Sequence, residues 1–144
     1  MAWTINNGKL YFNSVLYTGN GGTNNITGVG FQPDWLWLKK RNSSSNHFLF
    51  DAVRGASKEL NSNNNEAEAS PANYLSSFNS DGFTIGSDSD INGNSDTLVS
   101  WNWLGANGTA SNSDGSITTT VSANTTSGFS VVSYTGTGSN ATLG

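Results

Sequence analysis

Phe31-Gln32-Pro33-Asp34-Trp35-Leu36-Trp37-Leu38-Lys39 contains the most apolar run in the chain. Pro33 cannot donate to a β-ladder and restricts the residue before it, so the run starts after a break. Four consecutive apolar residues, Trp35 to Leu38, predict a strand covered on both faces and therefore central in its sheet. Trp35 and Trp37 are two residues apart and share one face of that strand. Trp101 and Trp103 repeat the spacing. The two pairs have two readings: a common core layer, or an exposed shelf that stacks on sugar rings.

Outward from this run the chain alternates short apolar stretches with polar turns. Strands are expected within Trp3 to Tyr17, Asn25 to Gly30, His47 to Asp51, Tyr74 to Phe78, Phe83 to Ile85, Leu98 to Leu104, Ile117 to Val121 and Phe129 to Tyr134. Thr18-Gly19-Asn20-Gly21-Gly22 and Asn79-Ser80-Asp81-Gly82 are turn signals, the second a hairpin signal through its Asp-Gly pair. Residues 52–72 gather charged side chains and read as a surface excursion with a helical turn near Ala67. Residues 105–116 are nearly all polar and read as a linker or long loop.

The composition agrees. Of 144 residues, 34% are hydrophobic and 11% charged, which leaves a chain dominated by turn and strand formers. Five Trp, seven Phe and four Tyr supply enough buried ring area to anchor a core and argue against disorder. The expected fold is an all-β sandwich, jelly-roll-like or concanavalin-like, with at most one short helix, in 52–72. The expected division is a sandwich module at 1–104, a polar linker with a short strand at 105–126, and a last strand at 127–144. Phe12-x-x-x-x-Tyr17-Thr18-Gly19-x-Gly21 recurs as Phe129-x-x-x-x-Tyr134-Thr135-Gly136-x-Gly138. The last strand thus reads as the start of a second repeat, short of its own partners.

A net charge of −4 disfavours nucleic acid as a partner, since phosphate binding needs a basic face. Lys39-Lys40-Arg41 is read as a solvated strand end. No apolar run approaches membrane-span length, so no membrane insertion is expected. There is no cysteine, hence no disulfide framework. No basic-then-apolar leader opens the chain, and a surface-type composition without one suggests either a processed fragment or release by cell lysis, the latter as for a virion component.

Several groups were weighed for chemistry. His47 is the single histidine and lacks an obvious triad or metal set. Arg54 is expected to pair with Asp51 or Glu59. Glu66 and Glu68 lie in a polar stretch with nothing to raise a carboxyl pKa, so glycosidase chemistry is not expected. Asp88-Ser89-Asp90-Ile91-Asn92-Gly93 matches the first half of a calcium loop, with Asp96 at the water-mediated position. The closing Glu is absent and Val99 stands there, so the alternative is a polar hairpin loop.

Tyr17-Thr18-Gly19-Asn20-Gly21, then Ile26-Thr27-Gly28-Val29-Gly30-Phe31-Gln32-Pro33-Asp34-Trp35-Leu36-Trp37-Leu38-Lys39, resembles a repeated module of marine phage and prophage tail-fibre-like structural proteins. Phe50-Asp51-x-Val53-Arg54-Gly55-Ala56, Ser77-Phe78-x-Ser80-Asp81-Gly82-Phe83-Thr84-Ile85-Gly86 and Trp101-Asn102-Trp103 are similar to the same module. The resemblance implies a sheet-rich, non-enzymatic virion protein of a tail or tail fibre, with no catalytic residues to carry over. It implies a homo-oligomer, a trimer in a fibre, and contact with a host-surface glycan or protein. A glycan-binding adhesin module, or a decoration or filament subunit joined through its last strand, is the alternative. No cofactor is expected beyond the calcium weighed above.

Overall fold

The structure, a computed structural model, describes residues 7–144. Trp3, where the first expected strand segment begins, lies outside the described residues. A 3-10 turn at Gly8–Leu10 leads into β1 (Phe12–Thr18). Then come β2 (Asn24–Ile26), β3 (Trp35–Lys40), β4 (Phe48–Asp51) and β5 (Leu60–Asn61). The hairpin β6 (Leu75–Asn79) and β7 (Gly82–Ile85) precedes a helical turn, α1 (Ser89–Asn92). The chain finishes with β8 (Thr97–Trp103), β9 (Ala110–Asn112), β10 (Thr119–Asn124) and β11 (Phe129–Ser133).

The strands form three antiparallel sheets, and the fold is an all-β sandwich. The main sheet has the order β1-β8-β3-β4-β5, which makes β3 the middle strand, as its apolar run requires. The second sheet, β2-β7-β6, covers one face of the first. Leu36 and Leu38 of β3 and Phe48 and Phe50 of β4 meet Ile26, Leu75, Phe83 and Ile85 of the second sheet in one buried cluster. Each such side chain contributes about 1.5–3 kcal/mol when fully buried. Asn102 and Ser100 also face inward from β8, and the Asn102 amide bonds both the Ser100 hydroxyl and the Asn13 carbonyl. The Trp-Asn-Trp triplet therefore alternates ring out, amide in.

The third sheet, β11-β10-β9, takes β10 and β11 from the two strands expected at Ile117 to Val121 and Phe129 to Tyr134 and adds β9 from the tract expected to be linker. The polar tract 105–116 supplies β9. The last strand does not lack a partner, because β11 pairs with β10 from Asn124↔Phe129 to Thr120↔Ser133. One buried carboxyl group fastens this sheet to the sandwich. Asp34 has no exposed surface and accepts bonds from the Gly105 and Asn107 amides (2.8 and 3.2 Å) and the Ser122 hydroxyl (2.9 Å).

The helix is not where the sequence placed it. Residues 52–72 are held by strand-like contacts: Glu59 and Ala69 exchange backbone bonds, and Leu60 pairs with Leu49. The Asn-rich stretch between them offers no apolar stripe for a helix to bury. The helical turn lies at Ser89–Asn92 instead, with Asp88 as N-cap accepting from the Asp90 amide.

Candidate functional site

The face of the main sheet turned away from the core carries the aromatic residues. Register places Trp35 opposite Trp103 and Trp37 opposite Trp101 on β3 and β8, and Phe12 of β1 opposite Trp103. The rings form a continuous ladder. Trp35 and Trp103 have centroids 4.6 Å apart, Trp35 and Trp37 5.9 Å, Trp37 and Trp101 5.6 Å, and Phe12 and Trp103 4.7 Å. Their tilted and edge-to-face arrangement is the one that ring quadrupoles favour. The Trp37 indole N–H donates to His47 Nδ1 at 3.0 Å, which fixes that ring and gives the single histidine a positioning role.

All four tryptophans are half-buried, and none belongs to the sandwich core cluster. Neither a sealed core layer nor a bare shelf describes them, because β11 crosses part of the face. Phe129 stacks on Trp103 at 6.2 Å. Further along, Val131 of β11 and Tyr134, just past its end, line one groove with Trp35 of β3, Leu49 of β4 and Leu60 of β5. The strand thus passes over β8, β3 and β4 in turn. Between it and the main sheet runs a groove of about 350 Å3, floored by Trp35, Leu49 and Leu60 and walled by Val131 and Tyr134. Tyr134 is 58% exposed and its ring is free to be covered by a ligand.

Arg54 closes one end of the groove. Its Nε–H donates to Asp51, an Nη–H to Glu68 at 3.1 Å, and another to the Leu49 carbonyl at 3.4 Å. The expected pairing with Asp51 is present, and the second acidic partner is Glu68 rather than Glu59. Because Asp51 also accepts from the Arg54 amide at 2.8 Å, its carboxylate is occupied on both oxygens. Glu59 is buried, and its carboxyl pKa is raised chiefly by that burial.

The four residues of the calcium pattern have separate duties. Asp88 caps α1, and Asp90 faces solvent within reach of the Ser45 and Tyr74 hydroxyls (3.4 and 3.5 Å). The Asn92 side chain is fully buried. Its oxygen accepts from the Asn20 amide and the Asn24 side chain, both at 3.0 Å, and its NH2 group donates to the Gly22 and Gly86 carbonyls. Asp96 pairs with Lys40 at 2.9 Å and Asn42 at 3.0 Å, and these contacts hold its carboxyl below the usual range. A cation site needs convergent oxygens with open lone pairs. This loop does not fit one, because the Asn92 oxygen is saturated and Asp96 already faces an ammonium. Among the described residues no cluster of three metal-ligating side chains occurs.

Phe12, Phe129, Tyr134 and His47 belong to this surface and were not singled out for it from the sequence. The internal echo held the signal for two of them. Phe12 and Phe129 occupy matched positions, both open a strand, and both pack on Trp103. The matched glycines behave alike too: Gly21 and Gly138 adopt φ of +68° and +74°.

Searches among curated proteins and among solved structures give no match to the chain. Residues 7–144 match a family model described as a domain of unknown function, DUF7483, and the chain belongs to that family.

Proposed function

We propose that this chain is a non-enzymatic structural module of a phage tail or tail fibre, located in the virion, that contributes to attachment at the host surface through its outer aromatic face. The observation that carries this reading is the position of the Trp ladder. A β-sandwich needs one apolar face per sheet, and the main sheet already buries Leu36, Leu38, Phe48 and Phe50 on its inner side. A second face of linked tryptophans, half-exposed beside a groove with Tyr134 at its lip, is surplus to the core. Flat rings beside polar groups suit the apolar faces and hydroxyls of sugars. The resemblance to tail-fibre-like modules supports reading that surface as part of a particle. The occupied Asp51 carboxylate in the groove favours binding over bond cleavage.

The test is a glycan array together with whole-cell binding, using the parent protein and Trp37→Ala and Trp101→Ala variants. Binding should be present in the parent and fall about tenfold or more in each variant, the loss typical of a ring at a binding hot spot. Melting should change little. Binding that survives both truncations undiminished, or a parent that binds neither glycans nor cells, would refute the reading.

A further inference from the structure

We infer that β1 is a self-pairing interface strand, through which two copies of this chain join edge to edge about a two-fold axis passing by Ser14. The inference concerns assembly and does not depend on which ligand the aromatic face takes.

Among the described residues β1 pairs only with β8 and forms one edge of the main sheet. The Leu104 amide donates to the Tyr11 carbonyl at 2.8 Å, and the Gly19 amide donates to the Asp96 carbonyl at 2.9 Å, in the same register as the ladder between them. In an antiparallel pair the inward-bonding residues alternate. Odd-numbered residues of β1 therefore turn their backbone groups to β8, and Phe12, Ser14, Leu16 and Thr18 turn theirs outward. Of these outward groups only the Thr18 carbonyl has a partner among the described residues, the Asn24 side chain at 3.2 Å.

Such an edge invites pairing, and proteins ordinarily block it with charges, proline, bulges or brevity. None of these is present. Phe-Asn-Ser-Val-Leu-Tyr-Thr is seven residues long, carries no charge and no proline, and stays in register with β8 throughout. Its exposed side chains are uncharged, Phe12, Ser14, Leu16 and Thr18, and two of them are large and apolar: Leu16 is 65% exposed and Phe12 39%.

The occupant is a second copy because the strand is complementary to itself. Antiparallel pairing with Ser14 opposite Ser14 places Phe12 opposite Leu16 on both sides of the axis. All three pairs use the outward-facing backbone groups, so each can exchange its N–H···O bonds. The two exposed apolar side chains then cover one another as directly opposed cross-strand pairs. An isologous contact of this kind closes at two copies, unlike the threefold arrangement expected for a fibre. It also extends the main sheet across the axis with both aromatic faces on the same side, which makes the pair bivalent toward a surface.

The experiment uses the whole chain. Sedimentation across a concentration series should show a concentration-dependent dimer. Leu16→Lys should weaken it roughly tenfold or more, because a charged side chain opposite each Phe12 ring replaces the apolar pair. Ser14→Pro gives an independent check, since it removes an outward N–H and leaves the β1–β8 bonds in place. The chain has no cysteine, so Ser14→Cys supplies a clean register probe. Oxidation should link two copies through this position, because opposed residues of a hydrogen-bonded pair lie within disulfide range. A parent that stays monomeric or forms trimers, a dimer indifferent to Leu16→Lys, or failure of Ser14→Cys to cross-link in a dimeric sample would each overturn the inference.

Discussion

Replacing Asp34 by Ala should loosen the third sheet from the sandwich. In the parent, the carboxyl group receives two backbone amides and one hydroxyl in a site without solvent access. Truncation leaves all three donors without an acceptor. A stranded buried donor costs about 1–3 kcal/mol, and some relief follows if water enters beside Gly105, so the net loss should be about 3–4 kcal/mol. For a chain of this size that is a fall in melting temperature of roughly 10 °C. Asp34→Asn tests the same geometry more gently. Its oxygen can keep the amides of Gly105 and Asn107 while its NH2 group donates to Ser122 Oγ, so the loss should be about 1 kcal/mol. Ser122→Ala removes two bonds, the one donated to Asp34 and the one accepted from the Ala106 amide, and should cost about 1–2 kcal/mol. Denaturant unfolding measures each value, and a double-mutant cycle between Asp34→Ala and Ser122→Ala should be non-additive because the two groups share a bond. Limited proteolysis supplies the local readout, with faster cutting within 105–116. If Asp34→Ala unfolds within about 0.5 kcal/mol of the parent, the carboxyl group is not the fastening and the reasoning fails.

Two further outcomes concern pH. Glu59→Gln should stabilise the protein at neutral pH, since burial raises the Glu59 pKa and so disfavours its charged form in the fold. The gain should shrink as pH falls through that raised value and vanish below the ordinary Glu range, which melting curves of both proteins would show. Asp81 behaves in the opposite sense: the Gly28 and Gly30 amides donate to it and lower its pKa. Its contribution is present above the ordinary Asp range and lost as pH falls through the lowered value. Asp81→Asn should therefore remove part of the acid-induced drop in melting temperature, and an unchanged acid limb would count against the assignment.

The strands were legible because their signals are local. Glycine and Asp-Gly turns cut the chain where the sheets turn, and the apolar run Trp35–Leu38 became the middle strand. The two fates of a β-strand face were not legible. Alternation separates Trp35 and Trp37 from Leu36 and Leu38, but only the covering sheet decides which side is core. The polar hubs were hidden for a different reason. Asp34 and Ser122 are separated by 88 residues, so nothing local marks either as buried. The tract after Ser87 shows how one pattern serves two ends: oxygens at alternate positions, read as calcium ligands, also describe a helix N-cap, and Asp88 is the latter. In residues 52–72, Ala and Glu raised helix propensity, but the Glu59–Ala69 bridge and the Arg54–Glu68 contact hold an extended path.

The saturated side chain of Asn92 also bears on how the protein ages. Asn followed by Gly is the dipeptide most prone to deamidation, because the next backbone nitrogen can attack the side-chain carbonyl with little steric hindrance. Asn7-Gly8, Asn20-Gly21, Asn92-Gly93 and Asn107-Gly108 have this sequence. At Asn107 the side chain is exposed and the chemistry is open. At Asn92 five groups from four neighbouring residues grip the amide in a fixed orientation without solvent, so ring closure first requires the loops at Asn20, Gly22 and Gly86 to open. Conversion there would place a carboxylate oxygen against the Gly22 and Gly86 carbonyls, and the lifetime of the folded chain is then tied to how seldom those loops part.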